Sequence, residues 1–412
     1  MIVAVSFLIV FVGLGFCSTP RKMFSVPVKN ALGISNSMYA LNDTFRYIVS
    51  ATVNLFFATL VARFGAKKLI CAGIAALVAA TLCFAYAPNV YVLWLGGALL
   101  GLGFSWTTTT MVGSVINRWC KKNTGTIMGL VLAANGVGAA LAAQVFEPFI
   151  ANGERGYRGA YLLTIGILAS LFVIVVLFFR NTPKKTESMD FSNSKKSRTV
   201  HWEGISFSDA VRKPYFYMVC VCIFLTGFVL QGISNSDAIY IEEEIGLGAH
   251  LASIVSISSL ILTFSKFSAG FAYDKFGLRI ASGFCFVVSV VSLVSLLMST
   301  NSSQGVVMIY IYGVCSSFAL PLETIMLPIY TKELFGNVSY DKFLGLFVSI
   351  NTIGYATGGV VINGVSDAVG SYKPAFAICV VVMASIFVLM QYVISATNKI
   401  KKQSVEGVKE YV

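Results

Sequence analysis

Twelve apolar runs, most of them long enough to cross a bilayer, constrain this 412-residue chain more than any other feature. They fall near residues 1–28, 36–62, 68–88, 89–118, 124–151 and 158–180. They resume near 214–241, 248–273, 279–299, 304–332, 342–366 and 372–396. About 20 residues at 1.5 Å each span a hydrocarbon core of roughly 30 Å. Inside lipid each backbone polar group must be satisfied internally, and runs of this length achieve that as helices. With only 12% charged residues and a mean hydropathy of +0.80, a soluble domain is excluded. The expected fold class is an all-α membrane protein with twelve transmembrane helices. The first run (MIVAVSFLIVFVGLGFCS) lacks a positive leader, and Phe16 precedes Cys17 where a lipoprotein cleavage site needs a small residue. It reads as a membrane helix and not a removed signal.

Charge sets the orientation. With both termini inside, 22 of the 30 Lys and Arg fall on the cytoplasmic side and six outside, and the opposite topology inverts that ratio. A multi-pass plasma-membrane protein with cytoplasmic termini is therefore expected. The same distribution accounts for most of the net charge of +12, so nucleic-acid binding is not needed. The nine cysteines sit almost all in apolar runs without a C-x-x-C, and the two histidines, His201 and His250, sit in expected loops. These give no basis for disulfides, a metal site or another cofactor. An enzyme would need a His, Cys or Asp cluster at one interface, and the chain has none, so it is not read as one.

Residues 181–213 are rich in Ser, Lys and Asn and form a linker. Within it, Ser206–Lys213 suits a short surface helix stopped by Pro214. The expected organisation is a six-helix bundle over 1–180, the linker 181–213, a second bundle over 214–396 and a tail over 397–412. The bundles repeat. ARFGAK at 62–67 matches DKFGLR at 274–279, GLVLAANGVG at 129–138 matches GLFVSINTIG at 345–354, and YRGAY at 157–161 matches YKPAF at 372–376. Six-helix repeats of this kind characterise secondary transporters, whose substrate site lies between the halves near the midplane.

Charges inside the apolar runs mark that site. Lys266 follows some fifteen apolar residues of the eighth run. An ammonium near a helix centre costs roughly 2.5–3.5 kcal/mol on insertion scales, so it is expected to face a cavity or a partner. The eight positions to Asp274 cover about 12 Å, which is long for a snorkelling stem. Glu323 lies mid-run in the tenth segment between Pro321 and Pro328. It is either a structural ion-pair partner of Lys266 or a proton switch that releases Lys266 to an anion. Arg21 and Lys22 follow Pro20 in the first run; on a helical wheel Lys22 shares a face with Gly15, Ser18, Thr19 and Ser25. Adjacent residues point about 100° apart, so one of the two is expected to face the cavity. Asp43 and Arg46, at i,i+3, read as a self-neutralised structural pair. Gln231, with Asn235 and Asp237, either lines the outer vestibule or caps an unwound helix end. Asn135 and Asn351, at equivalent places in the repeat, read as substrate contacts or interhelical bonds. Thr107 to Thr110 read mainly as packing, with one or two facing the pathway. The intramembrane charges leave one positive in surplus, consistent with an anion of low charge.

GFAYDKFGLR resembles the loop motif after the second helix of each half in the major facilitator superfamily, and the resemblance covers essentially the whole chain. It implies that fold, and a gate in which Gly270, Asp274, Gly277 and Arg279 take part. The first-half copy, ATLVARFGAK, has Ala58 and Ala62 where the motif has Gly and Asp. Within the superfamily, KFSAG near Lys266, TPRKMF in the first run and GYRGAY before the sixth are similar to segments of monocarboxylate and oxalate/formate transporters. That resemblance implies a substrate-contacting base at Arg21. It also implies that dicarboxylate exchangers carry a second base in the eleventh run, which FVSINTIGYATGG lacks. The expected function is alternating-access transport of a small organic anion, a monocarboxylate, coupled to protons, by a monomer held in membrane lipid. The alternative is an exporter of drugs or another small solute. The fifth run lacks the Gly-Pro step typical of such antiporters, and a buried lysine repels a lipophilic cation.

Overall fold

The computed structural model describes residues 1–18, 23–34, 36–120, 122–151, 156–180 and 204–410. The apolar runs fold as helices in the expected order. These are α1 (Ile2–Phe16), α2 (Asn36–Leu55 with Phe57–Phe64), α3 (Ala66–Tyr86), α4 (Val90–Thr107 with Thr109–Trp119), α5 (Thr124–Ala151) and α6 (Gly156–Phe178). The second set is α7 (Pro214–Ser234), α8 (Gly248–Phe276), α9 (Leu278–Leu297), α10 (Ser303–Ala319 with Pro321–Thr324), α11 (Tyr340–Val369) and α12 (Lys373–Glu410). Among the described residues nine helices are long and apolar enough to cross a membrane, ten when bent α2 counts as one span. Of the twelve expected spans, α1 is a shorter apolar helix, and α8 runs 29 residues, about 44 Å. The only β element among the described residues is one bridge, Gly204 to Gly336.

Local chemistry explains the breaks. α2 bends by 63° after Leu55, where Asn54 Nδ2 donates to the Ser50 carbonyl and competes with the helical ladder. The expected linker helix forms over Phe207–Val211, with Ser206 capping it through the Asp209 N–H. Pro214 stands in the first turn of α7, where its missing N–H costs nothing. α12 continues through Glu410, past the end of the last apolar run, along a stretch with no proline to stop it.

Buried apolar side chains form two clusters. One is made wholly of residues between Ile2 and Phe179. The other gathers residues from Ala210 to Ile394 with a strip from α1, α4 and α5. The repeat is visible in the backbone too. Gly65 and Gly277, 212 residues apart, join α2 to α3 and α8 to α9 at φ of 78° and 81°, a region suited to glycine.

The two sets meet along α5–α8 and α2–α11. Glycine makes the first seam possible, since a Cβ on Gly270 would overlap the Gly125 carbonyl oxygen. In the second seam Ser349 Oγ donates to the Ala51 carbonyl at 2.7 Å, and the Tyr47 and Tyr355 rings meet edge to face. The end of the linker fixes one end of the molecule. The Ile205 N–H donates to the Phe335 carbonyl, and Phe207 packs on Phe216 and Phe343.

Candidate functional site

Between the two sets lies a cavity of about 270 Å³. Its depth follows from the helices. Lys266 is eighteen residues into α8, about 27 Å from that helix's start. Lys266 is 5% exposed and lines the cavity, with no ion pair or hydrogen bond to another described residue. Glu323, also 5% exposed, lines the same space from the short piece of α10 that begins at Pro321. Its carboxyl meets the Tyr355 hydroxyl, while Oε1 has no partner. The pairing of Lys266 with Glu323 weighed from the sequence is therefore not formed. Glu323 is turned toward α11, and the ammonium is left to the cavity.

Asn135, Asn351 and Gln231 border the cavity as well. Asn351 also ties two helices, its Nδ2 donating to the Ile223 carbonyl at 3.0 Å. Arg21 and Lys22 lie outside the described residues.

Sequence reasoning set Arg46 aside, and the structure brings it into the cavity wall. The Asp43 pair does form, Nε to Oδ1 at 3.0 Å, yet Arg46 borders the cavity and its guanidinium lies 4.2 Å from the Tyr47 ring centre. A signal was available. Arg46, Ser50 and Asn54 recur at intervals of four and so share one helix face. All three line the cavity, with Ser105 of α4 hydrogen-bonded to Ser50 at 3.1 Å. Thr108, Thr109 and Thr110 line it too, where one or two were expected to face the pathway. Tyr355, one turn beyond Asn351, was also missed.

At the linker end the sets are held together by polar contacts. Asp274, near the end of α8, accepts from the Gly125 and Thr126 N–H groups at 3.1 and 2.6 Å, the first turn of α5. A carboxylate there satisfies orphan donors and meets the positive end of the helix dipole. Lys332 Nζ donates to Thr124 Oγ1 at 3.0 Å, and beside it, within the second set, Tyr273 donates to Glu333 at 2.7 Å. Arg118 pairs with Asp341, and Asn117 Nδ2 donates to Asn337 Oδ1. Gly270 belongs to this contact through its approach to Gly125, and Gly277 turns the chain out of it. Arg279 stands apart. It borders a second cavity with Glu333 and Asn398, and its carbonyl accepts from Gln391. Among the described residues no group of three metal-ligating side chains gathers.

Comparison with known proteins adds four findings. The family model described as Major Facilitator Superfamily matches residues 3–329 and 237–410. The oxalate:formate antiporter of Oxalobacter formigenes is similar at 23% identity, covering 93% of this chain and 89% of its own. The multidrug resistance protein MdtG of Serratia proteamaculans (strain 568) is similar at 22% identity, covering 84% and 82%. Among solved structures, the Escherichia coli fucose:proton symporter FucP superposes with a TM-score of 0.72 at 14% identity, over 95% of this chain and 98% of that one.

Proposed function

The chain belongs to the major facilitator superfamily of membrane transporters, and on that premise we propose that it carries a small organic anion, a monocarboxylate, coupled to protons. The observation that carries this reading is Lys266, a buried ammonium lining the cavity with no counter-charge of its own. A site that keeps an unpaired cation at mid-membrane gains most when the ligand supplies the anion. Against the drug-exporter reading, that same charge repels a lipophilic cation. The antiporter relative, named for oxalate and formate, handles carboxylates; the multidrug relative keeps the alternative in view.

Arg46 and Lys266 supply two positive charges to the cavity wall and Glu323 one negative, so the wall itself carries one positive in surplus. Glu323 is the proton site in this reading. Its carboxyl joins through Tyr355 to the neighbourhood of Arg46, so its protonation state is felt by both sets of helices. The halves, residues 1–180 and 214–396, rock about the cavity, and the substrate biases that motion only through unequal affinity for the two faces. With the linker end as the cytoplasmic side, the contacts around Asp274 and Gly270 close the inner gate, and the protein works as a monomer in the plasma membrane.

Uptake of labelled lactate, pyruvate or formate into proteoliposomes, with and without an inward proton gradient and with ethidium as a competing cation, tests this. Anion uptake stimulated by the gradient, and loss of that stimulation in Glu323→Gln, is the expected result. Ethidium transport without anion transport would replace the reading with the exporter. Full proton coupling in Glu323→Gln would remove Glu323 from it.

A further inference from the structure

The break in α4 leaves backbone donors facing the cavity. Its two pieces meet at Thr108, whose φ of −121° and ψ of −144° leave helical space. The Thr108 N–H still donates to the Phe104 carbonyl at 3.1 Å, and its hydroxyl donates to that same carbonyl, so the hydroxyl does not cap the second piece. Across the break, the next backbone bond runs from the Val112 N–H to the Thr108 carbonyl at 2.9 Å. Between them, Thr108 lies inside no helical turn, so the N–H groups of Thr109 and Thr110 make no helical bond back to the first piece.

At this depth such donors are tolerated where they line a water-filled space, and Thr108, Thr109 and Thr110 do line the cavity. The second piece of α4, eleven residues long, thus presents its N-terminus and the positive end of its dipole there. An independent feature points to the same ligand. Lys266, nearly fully buried and without a partner, faces this cavity from the other set of helices.

We propose that the α4 break is an anion subsite, in which the N–H groups of Thr109 and Thr110 receive a carboxylate of the substrate, with Lys266 as the opposing charge. This rests on the anion reading above and adds a determinant that involves no side chain. The sister helix suggests the test. Pro321 of α10 stands 212 residues after Thr109, at the first position of its own short piece, so a proline is accommodated at the equivalent place.

Thr109→Pro removes one N–H and preserves the helix start. Thr108→Asn supplies a neutral side-chain cap that occupies the same donors and favours the helix. Purified full-length protein titrated calorimetrically with lactate and with oxalate should lose at least tenfold in affinity in both variants. Thr109→Ala, which keeps the N–H, should bind more tightly than Thr109→Pro. Thr108→Asn should also keep or raise the melting temperature, so that its lost affinity is not lost folding. Unchanged affinity in Thr108→Asn overturns the subsite, whatever becomes of the proline variant. If the parent protein binds neither anion, the transport reading itself fails and the subsite fails with it.

Discussion

The two halves put different chemistry at equivalent positions. Along an offset of 212 residues, Asn54 of α2 corresponds to Lys266 of α8, and both line the cavity. Asn54 Nδ2 donates to the Ser50 carbonyl and reaches Ser105, whereas Lys266 makes no hydrogen bond or ion pair among the described residues. The positive charge of the first half, Arg46, arrives with its own carboxylate in Asp43. The contacts at the linker end are uneven in the same way. Gly270 and Asp274 hold α8 against the start of α5, and their counterparts are Ala58 and Ala62. The cavity-lining charge of the first half thus comes with its own counter-charge, while that of the second, Lys266, has none among the described residues.

The largest expected effect tests that division. Lys266→Gln should cut anion uptake about 10- to 150-fold, the worth of a charge-assisted hydrogen bond of about 1.5–3 kcal/mol. Asn54→Ala should change uptake far less, and equal losses at the two positions would abolish the distinction. Next comes the seam. Gly270→Val places methyl groups against the Gly125 carbonyl, and overpacking of this kind costs about 1–3 kcal/mol. The linker end should open, read as faster maleimide labelling of Cys120 in inside-out vesicles. Ala58→Val should leave that labelling near the parent rate.

A smaller effect is expected at the helix start. Asp274→Asn keeps an acceptor and loses the charge, worth about 0.3–1 kcal/mol at a helix N-terminus, so labelling of Cys120 should rise only a few-fold. Ala62→Asp sharpens the comparison further. The first turn of α11 already carries Asp341, paired with Arg118, so restoring the missing carboxylate should give no gain. Slower labelling in that variant would show that the first half's gate lacks only this one residue.

Much of this was legible in the residues. Membrane helices declare themselves because lipid leaves a long apolar run no other conformation, and the repeat followed from three short matches. Lys266, Glu323, Asn135, Asn351 and Gln231 were identifiable because a polar group in such a run is costly wherever it has no reason to be. Arg46 was obscured by the pair it makes with Asp43. A pair at i,i+3 is legible in one dimension, but whether its outer edge also faces a cavity depends on α4 lying against α2, which the sequence does not spell out. The break at Thr108 was hidden for a related reason. Four threonines in a row suit a helix well enough, and nothing local states that the backbone turns there. The proline-marked break in α10 was easier to see.

The central claim is that an unpaired ammonium between the halves receives the substrate's negative end. The most direct measurement is a calorimetric titration of the purified protein and of Lys266→Gln with lactate and its neutral amide. The account predicts saturable heat for lactate with the parent, none for the amide, and loss of the lactate heat in the variant. Lactate binding that survives unchanged in Lys266→Gln would contradict it.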